Sequence, residues 1–582
     1  MKLEKYYRQI LVPANVAISA IRRAGLPIDK DRVIEVRAQF ADQLAREEKL
    51  VADASGGKLK FSADKHGINA KKVADFLFTK EGLNLKFPEQ MKSWEMRQEM
   101  MKDQKGDYST SAEVLSWFAS LSVPNVATPS NPSGKDIEVV RAILKVRSLA
   151  GSITKYLDKF YNLARADGAV HASYNWALRT SRISASNPPV HGIAERADKD
   201  VADGIKSCIV PRVAPFRVRE WNMNPKKGPI NFGGWDPRKH GWCGRWDISG
   251  AEAAIRAGVL LYRWVPKSDR TTWEYIRLGK DVHGYTAALI YEKPDGTFKK
   301  GSYERDAVGK QTFFAEIFGA TWRTVQGTIW KKARLWLPDD MAQKAHNNFN
   351  KGYAGLTDLY TYDILTLGRR AAESGNWIGY SEDAYGRRRA IALPQGVTFD
   401  EDYVGAWGAD SKFPGYMFDT GDGRNEKEMK RQLNHQFHVA ANTPTQSMNA
   451  TDNFWMLALA YHGEGLVEEM GGLQVPDMWK GEVHFPEAKD WQMHEGRGPG
   501  GKPLMAWHNN TVHDSGWFDG APGHLEPTMM LLWRRCHALP LDWRLEADVP
   551  YRIDLSIGPD MANLADYNMV AKEFGLTPMP KR

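Results

Sequence analysis

At 582 residues the chain is too long for one compact core, so several subdomains are expected. Hydrophobic residues make up 42% and charged residues 26%; no apolar run nears the ~20 residues that span a bilayer, and the N-terminus lacks a secretory-type apolar core, so a helical membrane protein is excluded and a cytoplasmic one expected. A net charge of +8 permits a polyanionic partner without requiring one, while Cys208, Cys243 and Cys536 lack metal-ligand spacing and point to free thiols in a reducing interior.

In chain order, 29–52 is predicted as an amphipathic helix, capped by Asp29 or Asp31, with Val33, Val36, Phe40 and Leu44 at helical spacing. A second long helix is predicted over 135–164, where Val139, Ile143, Val146, Ala150, Ile153 and Leu157 form a narrow apolar stripe suited to packing along another helix. The Pro/Ser/Asn stretch 124–135 between them reads as a loop. After Asp167-Gly168, a turn signal, Val170–Tyr174 alternates like a short strand. The segment 215–245, rich in Gly, Pro, Trp and Arg, reads as an elaborate loop leading to Asp247. Helical signals return over 305–335 and 426–462. Near the end, Trp507–Phe518 reads as a hairpin with Asp514 near its bend, and Tyr551–Ile557 as a strand. A β-containing centre with helical additions is an α+β architecture.

Three fragments carry chemistry: WDISGAEAA (246–254), GKQTFFAEIFG (309–319) and TVHDSGW (511–517). Two carboxylates, Asp247 and Asp514, suit hard cations such as Mg²⁺, and a pair of such ions supports in-line displacement at phosphorus. Lys310, Phe314 and Phe318 recur every four residues, which predicts one face of a helix. A lysine there can offset triphosphate charge and the rings can stack on a base. Spacing alone favours the plainer reading, two core rings with a lysine reaching past them to solvent. The basic runs Lys331–Arg334, Arg387–Arg389 and Lys427–Arg431 fit solvated helix faces as well as phosphate contacts. Gly496–Lys502 matches the GxxxxGK part of a phosphate loop, but Pro503 stands where Ser or Thr should hold Mg²⁺ and no helix-forming run follows, so a mobile glycine-rich loop is expected. No HExxH-type pattern supports zinc.

Taken together, the three fragments resemble motifs A, B and C of the family A DNA polymerases. Asp247-Ile248-Ser249-Gly250-Ala251-Glu252 is similar to D-x-S-x-x-E, Lys310-x3-Phe314-x3-Phe318-Gly319 to K-x3-F/Y-x3-Y-G, and Val512-His513-Asp514 to V-H-D. Further matches fall in order. Thr180–Ser184 through Pro188 resembles T-G-R-L-S-S…P, and Asp281-Val282-His283 resembles D-I-H. Gly379-Tyr380 with Gly386–Arg389 is similar to G-Y…G-R-R-R, and Asn442–Gln446 to N-A-P-x-Q.

The resemblance implies a right-hand polymerase fold with an antiparallel-sheet palm and helical thumb and fingers: lead-in 1–28, thumb 29–165, palm 166–265, fingers 266–425 and palm again 426–582. It implies template-directed addition of dNTPs to a primer 3′-hydroxyl on primer–template DNA, with two Mg²⁺ ions, or Mn²⁺ in their place. Asp247, Asp514 and the Ile248 carbonyl would be metal ligands. Lys310 and Arg305 would hold the triphosphate with help from His283, and Phe314 and Phe318 would flank the nucleotide. Phe314 implies discrimination against dideoxynucleotides, and Glu252 would be the steric gate against a 2′-hydroxyl. Arg182, Asn442, Gln446 and His513 would touch the primer–template.

The chain departs from the family in places. Phe318 replaces Tyr, Arg305 stands five residues before Lys310 rather than four, and Pro189 and His191 replace Asn and Gln. Ser515 replaces the Glu that commonly follows the motif C aspartate; H-D-S is instead familiar from single-subunit phage RNA polymerases. That gives one alternative, which Glu252 opposes. A catalytically silent polymerase fold that only binds nucleic acid is another, opposed by retention of both aspartates and Lys310. Too few residues precede the first thumb helix for a proofreading domain, so no 3′→5′ exonuclease is expected in this chain. A phage-type replicase working with a separate exonuclease, helicase or processivity factor fits that expectation.

Overall fold

The computed structural model describes residues 4, 6–61, 69–85, 110–119, 134–175, 182–193, 199–218, 232–333, 337–402, 413–419, 426–462, 496–497, 503–512, 515–537, 546–549 and 552–579. Within them a π-helical turn, Tyr7–Leu11, leads into helix α1 (Val12–Ala24); α2 (Lys30–Ala54) follows, and after the shorter helices Ala70–Phe78 and Ala112–Ala119 comes α3 (Gly134–Ser152). Asp29 caps α2 by accepting the Arg32 amide at 3.0 Å, which settles the choice between Asp29 and Asp31. The predicted stripe is buried: Val33, Val36, Phe40 and Leu44 pack with Val146, Leu149, Ala150 and Ile153 in one core. The second helix does reach 163, but a π-helical turn at Ile153–Leu157 interrupts it before Asp158–Leu163. The predicted 124–135 loop falls almost wholly outside the described residues. Val170–Tyr174 is not one strand. Ala169–Val170 pairs with Leu26–Pro27, and Ser173–Asn175 with Ser184–Ser186.

The centre is a five-stranded antiparallel sheet. Its strands are β1 (Trp242–Ile248), β2 (Ala506–Val512), β3 (Ser515–Gly520), β4 (Ile553–Gly558) and β5 (Ala565–Asp566), in spatial order β2-β3-β1-β4-β5. The loop expected to run to 245 therefore ends earlier, because Trp242 onward is already sheet. Trp242, Trp246 and Ile248 face the largest core, with Ile553, Leu555 and Ile557 from β4. Close sheet packing needs glycine at Gly244, where a Cβ would lie 2.1 Å from the Phe518 ring.

Between β1 and β2 in sequence come α4 (Val282–Tyr291), α5 (Lys310–Glu316), α6 (Ala354–Glu373) and α7 (Glu426–His462). The predicted 305–335 helix is broken: a π-helical turn at Glu304–Gly309, α5, a turn through Gly319, then a helix Trp322–Ala333. The 426–462 prediction coincides with α7, which carries Pro444 inside it. Proline cannot donate to the carbonyl four residues back. The Ser381 hydroxyl takes that place, donating to the Ala440 carbonyl at 2.8 Å.

The basic run Arg387–Arg389 is structural at its first member. The Arg387 guanidinium donates to Asp383 at 2.6 Å and to the Tyr6 hydroxyl at 2.8 Å, and also bonds Ser447 and Thr451 of α7. Gly496–Arg497 pairs with Pro503–Leu504, so strand pairing rather than a strand-to-helix phosphate loop brackets the glycine-rich stretch. No described helix is long and apolar enough to cross a membrane.

Candidate active site

Asp247 stands near the end of β1, directly opposite Ser515 of β3 on one side and Asp554 of β4 on the other. Opposed residues on antiparallel strands share a face, so this row brings the motif A aspartate beside the hairpin of motif C. His513 and Asp514 lie outside the described residues, between Val512 and Ser515, which pair with each other. Ser515 has a local reason to be small and hydroxylic: it is buried and donates to the Val512 carbonyl at 2.9 Å. Asp554 is exposed and was not singled out from the sequence. The alternation of Ile553-Asp554-Leu555-Ser556 is the signal that places it on the polar face.

After Ile248 the chain turns through Gly250, in the left-handed region at φ +61°, and enters a short helix carrying Glu252. The Glu252 Oε1 receives two donors, Arg182 Nη2 at 3.1 Å and Gln446 Nε2 at 2.6 Å. Three residues singled out from separate motifs thus meet on one oxygen. Asn442, one turn earlier on α7, is exposed. The hairpin is tied to the same helix where Asn453 donates to the Thr511 hydroxyl at 3.2 Å.

The π-helical turn before α5 resolves the irregular spacing of Arg305. The Lys310 amide donates to the Arg305 carbonyl five residues back, so the wider turn absorbs the extra residue and sets Arg305 one turn before Lys310. The Arg305 guanidinium grips Asp281 with Nε and Nη2, at 2.6 and 2.9 Å. Asp281 also caps α4 by accepting the His283 amide. Any phosphate would meet Arg305 with this carboxylate already bound. Burial, with the Arg305 and Lys310 cations beside it, pushes the His283 imidazole down to about 4, so it is neutral near pH 7. His283 can therefore serve as a hydrogen-bonding group but not as a cation, and its ring lies against Phe313 and Phe314.

The expected helix face is shorter than the sequence spacing implies. Helix α5 ends at Glu316, so Lys310 and Phe314 share it while Phe318 sits in the following turn. Phe313 is the fully buried ring, and Phe314 and Phe318 are only partly covered. The end of α5 is pinned from below. The fully buried Arg256 donates to the Ile317 carbonyl at 3.0 Å and forms a 2.5 Å ion pair with Asp363 of α6. His438 of α7 bonds the Phe318 carbonyl at 2.9 Å. Nothing in the motif spacing marks Arg256; its place follows a π-helical run, Ala254–Leu260, that turns it inward.

Glu316 closes α5 in contact with His346, 2.7 Å away. Burial pushes its carboxyl up from 4.5 to about 7, with His346 opposing. The folded form then binds more protons than the unfolded form between those values, so Glu316 makes stability fall as pH rises from about 4.5 to 7. His283, depressed from 6.5, gives the opposite slope as pH rises from about 4 to 6.5. Only the difference between proteins isolates one group. The Glu316→Gln variant is expected to gain stability relative to the unaltered chain as pH rises from 4.5 to 7; parallel denaturation midpoints across that range would refute it.

The residues present fit a magnesium site in kind. Asp247 and Asp554 offer hard carboxylate oxygens at the end of a sheet, in a row completed by Ser515 rather than by a cysteine or histidine. Among the described residues, no group of three or more His, Cys, Asp or Glu is placed to hold a metal ion.

A right-hand polymerase architecture accounts for this sheet, its flanking helices and the convergence of the motifs. Comparison with known proteins agrees. No family profile matches the chain. DNA polymerase I of Synechocystis sp. is 25% identical over 325 residues, 55% of this chain and 25% of that protein. This chain thus spans about a quarter of the relative's length. Among solved structures, the POL domain of Pol1 from M. smegmatis, in complex with DNA primer-template and dNTP, has a TM-score of 0.61 at 16% identity. That likeness covers 96% of this chain and 71% of the other. The fold is thus that of a DNA polymerase POL domain, and over 55% of its length the chain is similar in sequence to a DNA polymerase I.

Proposed function

We propose that the chain is a template-directed DNA polymerase acting on primer–template DNA and dNTPs. The observation that carries this reading is the register row Ser515–Asp247–Asp554, which sets the motif A aspartate against the strand that continues motif C. Asp247 and Asp514, with the Ile248 carbonyl, would hold Mg²⁺, which when bound lowers the pKa of an attacking hydroxyl and offsets phosphate charge. Lys310, one helical turn from Phe314, would face the triphosphate. Arg305 and Asp281 would brace the start of α5, and the neutral His283 would hydrogen-bond to a phosphate oxygen rather than neutralise it. Arg182, Asn442, Gln446 and His513 are the proposed contacts to DNA. The subdomain reading stands with it: thumb 29–165, fingers 266–425 and a palm formed by 166–265 with 426–582.

Ser515 supports no RNA-polymerase reading of its own, since its buried hydroxyl satisfies the Val512 carbonyl. The test is Mg²⁺-dependent extension of a labelled primer on a long single-stranded template, with dNTPs or rNTPs. Extension with dNTPs alone is expected. Extension with rNTPs alone would favour an RNA polymerase, and none with either would favour a silent binding fold. In the same assay, Glu252→Ala is expected to raise rNTP incorporation ~10-fold or more relative to dNTP, since removing a wall admits the larger sugar. Equal rejection by that variant would remove the gate assignment.

A further inference from the structure

We propose that Gln446 and Arg182 are positioning residues for sugar selectivity, holding the Glu252 carboxylate in place as a latch; the proposal rests on the polymerase reading above. Both bonds fall on the same oxygen, Oε1, from Gln446 Nε2 at 2.6 Å and Arg182 Nη2 at 3.1 Å. The donors come from unrelated elements. Gln446 lies on α7 and is 6% exposed, whereas Arg182 lies just before the short strand Ser184–Ser186. Glu252 itself sits in the first turn of a three-residue helix that follows the left-handed Gly250.

Side-chain freedom makes the latch matter. A glutamate has three rotatable bonds, and on a short turn its carboxylate would sample several positions. Steric exclusion works only while the excluding group stays in place, so a wall that swings aside admits the competitor in proportion to its absence. Two donors on one oxygen fix the outer torsions and leave one edge of the carboxylate to face the sugar.

The surrounding polar atoms are not saturated by this arrangement. Among the described residues, Arg182 Nε and Gln446 Oε1 are buried without a hydrogen-bond partner. A purely structural network would satisfy these atoms, because a buried unpaired donor or acceptor is costly. They leave one donor and one acceptor beside the gate for an incoming nucleotide or base edge. The residues expected to read the DNA and the residue expected to read the sugar are therefore one hydrogen-bonded unit.

The experiment measures kcat/KM for a dNTP and its matching rNTP on primer–template. It uses the unaltered chain, Gln446→Ala, Gln446→Glu, Arg182→Ala, Arg182→Lys, Glu252→Ala and the double variant Gln446→Ala with Glu252→Ala. The dNTP/rNTP ratio is expected to fall ~10-fold in Gln446→Ala and further in Gln446→Glu, which sets a like charge against the gate. Arg182→Lys, keeping one donor, should hold the ratio above that of Arg182→Ala. In the Glu252→Ala background the Gln446 substitution should change the ratio by less than about twofold, since no gate remains to hold. Measurable dNTP extension in each variant reports a folded enzyme. A ratio within about twofold of the unaltered chain in both Gln446 variants overturns the latch, as does an equal fall with and without Glu252. If the unaltered chain extends no primer with any nucleotide, the polymerase reading fails first and the latch with it.

Discussion

Asp247→Asn is expected to slow primer extension by ~10³-fold or more, about 4 kcal/mol of barrier, while leaving DNA affinity within about threefold. The substitution keeps the size and one oxygen of the side chain but removes the charge that would hold a divalent cation. Its site in the sheet should tolerate the change. Asp247 is only partly buried, lies opposite the exposed Asp554, and contributes nothing apolar to the core beneath it, which Trp246 and Ile248 fill from the other face. Affinity for DNA rests on cations meeting phosphates, and removing a carboxylate from that surface cannot weaken it. Single-turnover extension beside anisotropy titration of labelled primer–template separates the two effects. Retention of more than about a tenth of the rate would rule out Asp247 as a metal carboxylate. A parallel loss of binding would show instead that the sheet had been disturbed.

The second large effect concerns stability. Arg256→Ala is expected to cost ~3–5 kcal/mol, because it leaves the buried Asp363 without its ion-pair partner and the Ile317 carbonyl without its donor. Burial already pushes the Asp363 carboxyl up, with Arg256 the main opposing influence. Without Arg256 the folded-state value rises further above the unfolded one. The destabilisation should therefore be smallest where Asp363 is protonated in both states and grow as pH rises above that range. Replacing both partners by apolar residues, Arg256→Met with Asp363→Leu, should restore stability to within ~1 kcal/mol, since well-packed apolar groups avoid desolvating two charges. Denaturant midpoints at pH 6 and pH 8 test both statements. An Arg256→Ala midpoint equal to that of the unaltered chain at both values would show that the pair adds nothing. The restored double variant also separates packing from function, because it still lacks the donor to Ile317 at the end of α5.

Some features were fully legible in the residues because they depend on neighbours in sequence. The stripe Val33–Leu44 repeats at helical period, and a helix with that pattern has one face to bury, whereas the residues narrowed its cap only to Asp29 or Asp31. Helix α7 is long and periodic enough to be read from end to end. The motifs located Asp247, Glu252, Lys310 and Gln446 by type and spacing. Spacing failed where the helix was not an α-helix. The π-helical turns at Ala254–Leu260 and Glu304–Gly309 shift every later side chain round the axis, so Arg305 looked misplaced and Arg256 looked unremarkable.

By itself, then, the sequence determined which residue types stand at which steps of locally periodic elements, and so the α+β class and the candidates proposed for the site. Tertiary structure alone decided which of them meet. The pairing of β1 with β3 and β4 sets Asp247 between Ser515 and Asp554, and α7 carries Gln446 to Glu252 from 194 residues away. It also decided protonation. His283 is neutral because burial and two cations surround it, and Glu316 is raised because the fold removes its carboxylate from water. Local pattern comes from backbone geometry that a short segment carries within itself. Contact, register and desolvation are properties of distant segments brought together, and no single segment encodes them alone.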